Sequence, residues 1–212
     1  RKSSLNMNGK LYQFVKTCKQ SQSFLWEKDR LSQTQKRKIV LYTRKKIRQR
    51  KSEFANQLRA KQQISSIYGK LSKKTMKSLA LRASKFQNQG NYFLCLLEMR
   101  LDTCLFRMNL GPSFVSIRQY INHGFVYVNG RKIDVSSVIL KPGDLITIKK
   151  PFPIHWKTSW VDQLKEKQLV RRPVQHLEIN YKLCQAIVLF PPQQIHYPCH
   201  LQLQSALRFL LR

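Results

Sequence analysis

The sequence predicts an α+β protein in which a basic, helical N-terminal region is followed by an α-α-β-β-β module and a further C-terminal segment. Three observations predict it. Basic side chains crowd residues 1–90, helical periodicity runs from Phe54 to Met108, and an Asn-Gly pair between short β-type runs marks a hairpin. With 42% hydrophobic residues in 212, the chain can bury one sizeable core or two small ones.

Charge narrows the function class. Forty Lys and Arg against ten Asp and Glu give a net charge of +30, self-repulsive unless a polyanion neutralises it. No stretch approaches the ~18 consecutive apolar residues of a membrane span, and the cations are spread along the chain, so nucleic acid is favoured over a membrane partner. Five cysteines, at positions 18, 95, 104, 184 and 199, lack the close pairing of a disulfide framework and point to free thiols in a reducing compartment.

Residues 1–53 are expected to form a basic arm. Residues 1–90 hold 24 of the 40 cations and only the acids Glu27, Asp29 and Glu53. The density peaks from Lys36 to Lys51, with almost no apolar face to bury, which predicts a solvated segment that orders on RNA. Residues 54–97 are expected to be a helical domain. Its apolar positions Phe54, Leu58, Ile64, Ile67, Leu71, Met76, Leu79 and Leu81 suit two helices with a break near Tyr68-Gly69, and Gln87–Asn91 form a polar link.

Residues 98–150 are expected to be a compact α-α-β-β-β module. A helix running from Tyr92 through Met108 would bury Leu97, Leu101, Leu105 and Met108 and leave Arg100, Thr103 and Arg107 on an available face. After Gly111-Pro112-Ser113, a second helix, Phe114 to Asn122, buries Phe114, Ile117 and Ile121, with Gly124 at a left-handed C-terminal position. Phe125–Val128 and Arg131–Val135 flank Asn129-Gly130 as a hairpin, and Leu145–Lys149 follows a Lys141–Asp144 turn as a third strand. Residues 151–212 form the return segment and tail, with a strand candidate at Cys184–Phe190 and helical spacing from Leu201 to Arg212.

The candidate RNA surface lies on the second module helix. Arg118, Gln119 and Asn122 share a polar face with Val115, opposite the apolar stripe, and His123 adjoins them. Arg100, Arg107, Asn129, Arg131 and Lys132 would extend it into a compact surface for phosphates and 2′-hydroxyls. Arg59 and Lys61 of the helical domain, and Arg44, Lys45, Lys46, Arg48 and Arg50 of the arm, add RNA-contact candidates. His196, Cys199 and His200, with Cys184 upstream, lack the paired spacing of a structural zinc site, so neither a metal nor a cofactor is expected.

Leu97-Glu98-Met99-Arg100-Leu101-Asp102, the run Ser116 to Gly130, and Lys141-Pro142-Gly143-Asp144-Leu145-Ile146 together resemble the RNA-binding module named after small-subunit ribosomal protein four. The run Leu58 to Gly69 resembles that protein's own N-terminal domain, which other owners of the module lack. His176–Tyr181 and the apolar strand after it resemble the return segment of plant and algal mitochondrial versions. The resemblance implies a structural ribosomal protein bound to the 5′ domain of small-subunit rRNA, supporting assembly. It also implies a place beside the mRNA entry path near ribosomal proteins three and five, in a mitochondrion, with a chloroplast as the alternative. It further implies that the N-terminal region and the returning tail form one helical domain around the module.

Two other classes compete. Pseudouridine synthases carry a similar module and an Arg-Leu-Asp motif, as at Arg100-Leu101-Asp102, but a catalytic Asp would need a separate sheet domain around it, and 212 − 144 = 68 residues follow Asp144. No enzyme is expected. A stand-alone RNA chaperone of stalled ribosomes would need neither the N-terminal domain nor the tail.

Overall fold

The computed structural model describes residues 16–18, 32–47, 52–111, 113–149, 174–192 and 200–212, with backbone alone at 44–47. The chain divides into two compact units, residues 1–81 with 196–212, and residues 82–195.

The first unit is helical. Helix α1, Gln33–Ile47, lies within the expected arm and buries Ile39 completely, while Val40 and Leu41 stay exposed. Among the helix's described side chains Ile39 is the one buried apolar anchor, which fits a cationic segment whose sequence offers no apolar stripe. Helix α2, Glu53–Ile67, starts where the Ser52 hydroxyl accepts a hydrogen bond from the Ala55 amide, a cap of about 1 kcal/mol. Ala60, Ile64 and Tyr68 recur every fourth residue and are buried. The chain turns after Tyr68, where the Lys70 amide donates to Ser65 O and the Ser65 hydroxyl to Leu71 O. Helix α3, Lys73–Ala83, buries Met76, Leu79, Ala80 and Ala83.

Helices α4 (Gln89–Glu98), α5 (Leu101–Arg107) and α6 (Phe114–Asn122) precede strands β1 (Val126–Val128), β2 (Arg131–Lys132) and β3 (Leu145–Ile148), then β4 (Leu177–Asn180) and β5 (Gln185–Val188). The chain ends in helix α7, Leu203–Leu211. It packs against α2 through buried Ala206, Leu207 and Leu210, with the Phe54 and Phe209 rings 5.6 Å apart. The tail thus completes the first unit.

The second unit packs α5 and α6 on one face of an antiparallel five-stranded sheet, ordered β2-β1-β3-β5-β4. The buried core unites Leu101, Leu105 and Met108, Ile117 and Ile121, and the inward residues Val126, Val128, Ile146 and Ile148. Ser113 caps α6 through its hydroxyl, and Gly124 follows the helix at φ +73°. Asn129 and Gly130, at φ +50° and +76°, make the tight hairpin turn.

Two expectations are corrected. The continuous helix from Tyr92 through Met108 is two helices. At Met99-Arg100 the backbone is drawn out to pair with Ile139, and the Leu101 amide donates to Val138 O while the Leu140 amide donates to Met99 O. Those bonds satisfy the Leu101 amide and the Met99 carbonyl without helical continuation, through a bridging segment about forty residues further along the chain. The strand expected at Arg131–Val135 holds only Arg131 and Lys132, with Ile133 making one further ladder bond to Val126 O. The sheet also gains β4 and β5 from the return segment, which pair onto β3.

Candidate nucleic-acid interface

Two acids organise the cations of the module from inside. Glu98 and Asp102 are fully buried, at the end of α4 and in the first turn of α5. Asp102 accepts hydrogen bonds from Arg100 Nε at 3.0 Å and Nη2 at 3.1 Å, and from Arg118 Nε at 2.9 Å. Glu98 holds Arg107 through two bonds, at 2.9 and 2.6 Å. Each carboxylate thereby meets the requirement that a buried charge be paired and hydrogen-bonded.

The expectation that Arg100, Thr103 and Arg107 form an available face is corrected accordingly. Arg100 and Thr103 are buried, and Arg107 is folded onto Glu98. Arg118 does not simply point to solvent either: its side chain is 26% exposed and bridges α6 to Asp102 on α5, with its guanidinium 5.6 Å from the centre of the Phe114 ring. Asn129 also works within the fold. Its side-chain amide donates to Asp144 at 2.8 Å and its carbonyl accepts from the Leu145 amide at 2.9 Å, while Asp144 accepts from the Lys141 amide. Asn129 therefore clamps the hairpin turn to the Lys141–Asp144 turn.

The remaining candidates of the module are exposed and adjacent. Gln119, Asn122 and His123 lie on α6 and its cap, Arg131 and Lys132 on β2. The Lys132 amine folds over Gly124, where a side-chain carbon would collide with it, so the lysine head sits at the C-terminal end of α6. Turned to satisfy both its partners, the Asn122 amide donates to Asp134 O at 3.1 Å and Arg118 O at 3.3 Å, joining helix and hairpin. The surface is thus cationic, rich in donors and rigidly mounted, a combination that favours phosphate and ribose contacts.

Arg59 and Lys61 are half-buried on α2 in the other unit, and Arg44, Lys45 and Lys46 lie on α1. Arg48 and Arg50 lie outside the described residues, as do His196 and Cys199. Among the described residues no group of His, Cys, Asp and Glu could hold a metal ion, and Cys18, Cys95, Cys104 and Cys184 form no disulfide with one another. Burial, with Glu98 and Asp102 nearby, pushes the Cys104 thiol far above its ordinary range. Among the described residues, no helix is long and apolar enough to cross a membrane.

The sequence holds a signal for the structural role of Glu98 and Asp102, of which only Asp102 stood out, as a candidate catalytic acid. They are the only acids between Glu53 and Asp134, both set within an apolar run, and an isolated carboxylate in such a run needs a buried cation as partner. Lys149, exposed at the end of β3, was also passed over.

The S4 domain family matches residues 99–146. The chain is 30% identical over 188 residues to the small ribosomal subunit protein uS4m of Marchantia polymorpha, a match spanning 89% of this chain and 95% of that relative. It is 40% identical over 100 residues to the small ribosomal subunit protein uS4 of Rickettsia typhi, covering 47% of this chain and 49% of that protein. The corresponding protein of Rickettsia bellii is 43% identical over the same length.

Proposed function

The chain belongs to the uS4 family of small ribosomal subunit proteins, and we propose that it grips small-subunit rRNA through the exposed α6 and hairpin surface. It is a structural constituent of the small subunit of the mitochondrial ribosome, and it binds RNA. The observation that carries the reading is the extent of the likeness to the Marchantia protein, which takes in both units and not the module alone.

The contact set is Gln119, Asn122, His123, Arg131 and Lys132, joined by the outer edge of Arg118. Arg59 and Lys61 with the arm cations Arg44, Lys45, Lys46, Arg48 and Arg50 add phosphate contacts from the helical domain. Arg100 and Arg107 stand behind this surface and position it, and Asn129, exposed at the hairpin tip, holds the turn beside it. The RNA is the 5′ domain of the small-subunit rRNA, bound during assembly, and the neighbours are ribosomal proteins three and five beside the mRNA entry path. The protein carries out no catalysis of its own.

Tagged full-length chain, expressed in cells and centrifuged through high salt, should migrate with mitochondrial small subunits. Migration as free protein, or with chloroplast subunits, would overturn the assignment. Crosslinking of the bound protein should recover 5′-domain rRNA and the two neighbours.

A further inference from the structure

The sheet of the second unit has two unlike faces. Val126, Val128, Ile146, Ile148, Ala186 and Val188 point into the helical core. Strand alternation sends Phe125 and Tyr127 to the opposite face, two residues and so roughly 6.5 Å apart. Register then builds a row across the strands on that face: Lys132 beside Tyr127, Tyr127 beside Thr147, and Thr147 beside Gln185. Lys149 continues the ladder by donating its amide to Phe125 O at 3.0 Å, and its ammonium lies 5.6 Å from the centre of the Tyr127 ring. Phe125, Tyr127, Thr147 and Gln185 are half-buried, and Lys132 and Lys149 are exposed.

We propose that this outer sheet face is a stacking platform for unpaired bases of a single-stranded RNA loop or bulge. The proposal rests on the RNA-binding reading and adds the class of RNA and the residues that hold it. Unpaired bases need flat apolar rings with cations at their edge for the backbone, because every base has a π-face while a duplex hides it. Phe125 and Tyr127 provide the rings. Lys132 is paired beside Tyr127 in the sheet register and Lys149 brings its ammonium against the Tyr127 ring, so both supply cations for the backbone, and Thr147 and Gln185 continue the row with hydrogen-bonding groups. No carboxylate interrupts the row; the acid Glu178 lies one row away, opposite Ile187 on the edge strand. The face adjoins the α6 surface through Lys132 and through His123, whose ring centre is 6.3 Å from that of Phe125.

The test uses the full chain with two RNAs of equal length and charge, a U-rich single strand containing a fluorescent adenine analogue and a blunt duplex. The wild type should quench the analogue on binding. Tyr127→Leu should weaken single-strand binding roughly five- to a hundred-fold, with duplex affinity unchanged, and Tyr127→Phe should restore it. Thermal unfolding guards against loss of fold, and Phe125→Leu supplies an independent variant. Equal single-strand affinity in wild type and both leucine variants, or no quenching by the wild type, overturns the platform. So does unchanged RNA binding combined with failure of Tyr127→Leu to enter small subunits, which would give the face to a protein neighbour. If the wild type binds neither RNA, the RNA-binding reading itself falls and the platform with it; duplex binding that survives without discrimination removes the platform alone.

Discussion

At the scale of single residues, the arginines divide into those that hold the fold and those that face outward. Asp102 is held by two bonds from Arg100 and one from Arg118, so the two arginines should differ in what their loss does. Arg118→Ala leaves the carboxylate with its bidentate partner and should cost about 1–2 kcal/mol. Arg100→Ala leaves it with a single bond in a buried setting and should cost about 3–5 kcal/mol. Urea unfolding of both variants checks the order, and a reversed order would mean that Arg118 is the principal partner. None of this was legible from helix phasing, which locates a residue around an axis but says nothing of an acid sixteen positions away that bends its side chain inward.

His176 offers a second residue-scale prediction. Burial pushes its imidazole below the ordinary histidine range; the Glu98 carboxylate opposes that shift, and Arg107 adds to it. The folded protein therefore keeps His176 neutral at pH values where the unfolded chain has already taken up a proton. Stability should be flat above about pH 6.5 and fall as pH drops below it, because the unfolded state binds more protons there. Urea midpoints at mildly acidic and neutral pH should converge in His176→Gln, whereas an equal pH dependence in wild type and variant would refute the assignment.

At the scale of elements, α6 and the hairpin after it were readable because their signals are local. Ser113, the spacing of Phe114, Ile117 and Ile121, Gly124 and Asn129-Gly130 all lie within one short stretch and agree with one another. Ile117 is 1% exposed in the middle of this core, so Ile117→Asp should unfold the unit by forcing an unpaired carboxylate into it. Ser113→Ala, which removes the bonds to the Ser116 amide and hydroxyl, should cost about 1 kcal/mol. Circular dichroism melts separate the two outcomes, and an Ile117→Asp variant as stable as wild type would require another core. The break at Met99-Arg100 and the addition of β4 and β5 were not readable, since each depends on a strand partner distant in sequence. The strand candidate at Cys184–Phe190 was visible as an apolar run, but nothing local says that its partner is Leu145–Thr147.

At the scale of the whole molecule, charge decides the strength of binding and geometry decides where it acts. The net charge of +30 was legible at once, yet it overstates the surface available, because Arg100, Arg107 and Arg118 are engaged by internal acids. What remains on the second unit includes Arg131, Lys132, Lys141 and Lys149, all exposed. Each neutralised phosphate should contribute a log-log salt slope of roughly −0.7 to −0.9. These four cations alone then predict a slope of about −3, and the cations of the other unit should make it steeper. Lys132→Gln with Lys149→Gln should make the slope shallower by about 1.4 to 1.8 while leaving the fold intact, since both side chains are exposed. Arg100→Gln should reduce stability with little change in slope, because a buried, paired guanidinium meets no phosphate. Filter binding of the full chain to small-subunit rRNA across a salt series measures all three. A wild-type slope near zero would remove phosphate contact as the basis of binding, and a slope lowered by Arg100→Gln as much as by a lysine variant would place that arginine on the RNA after all.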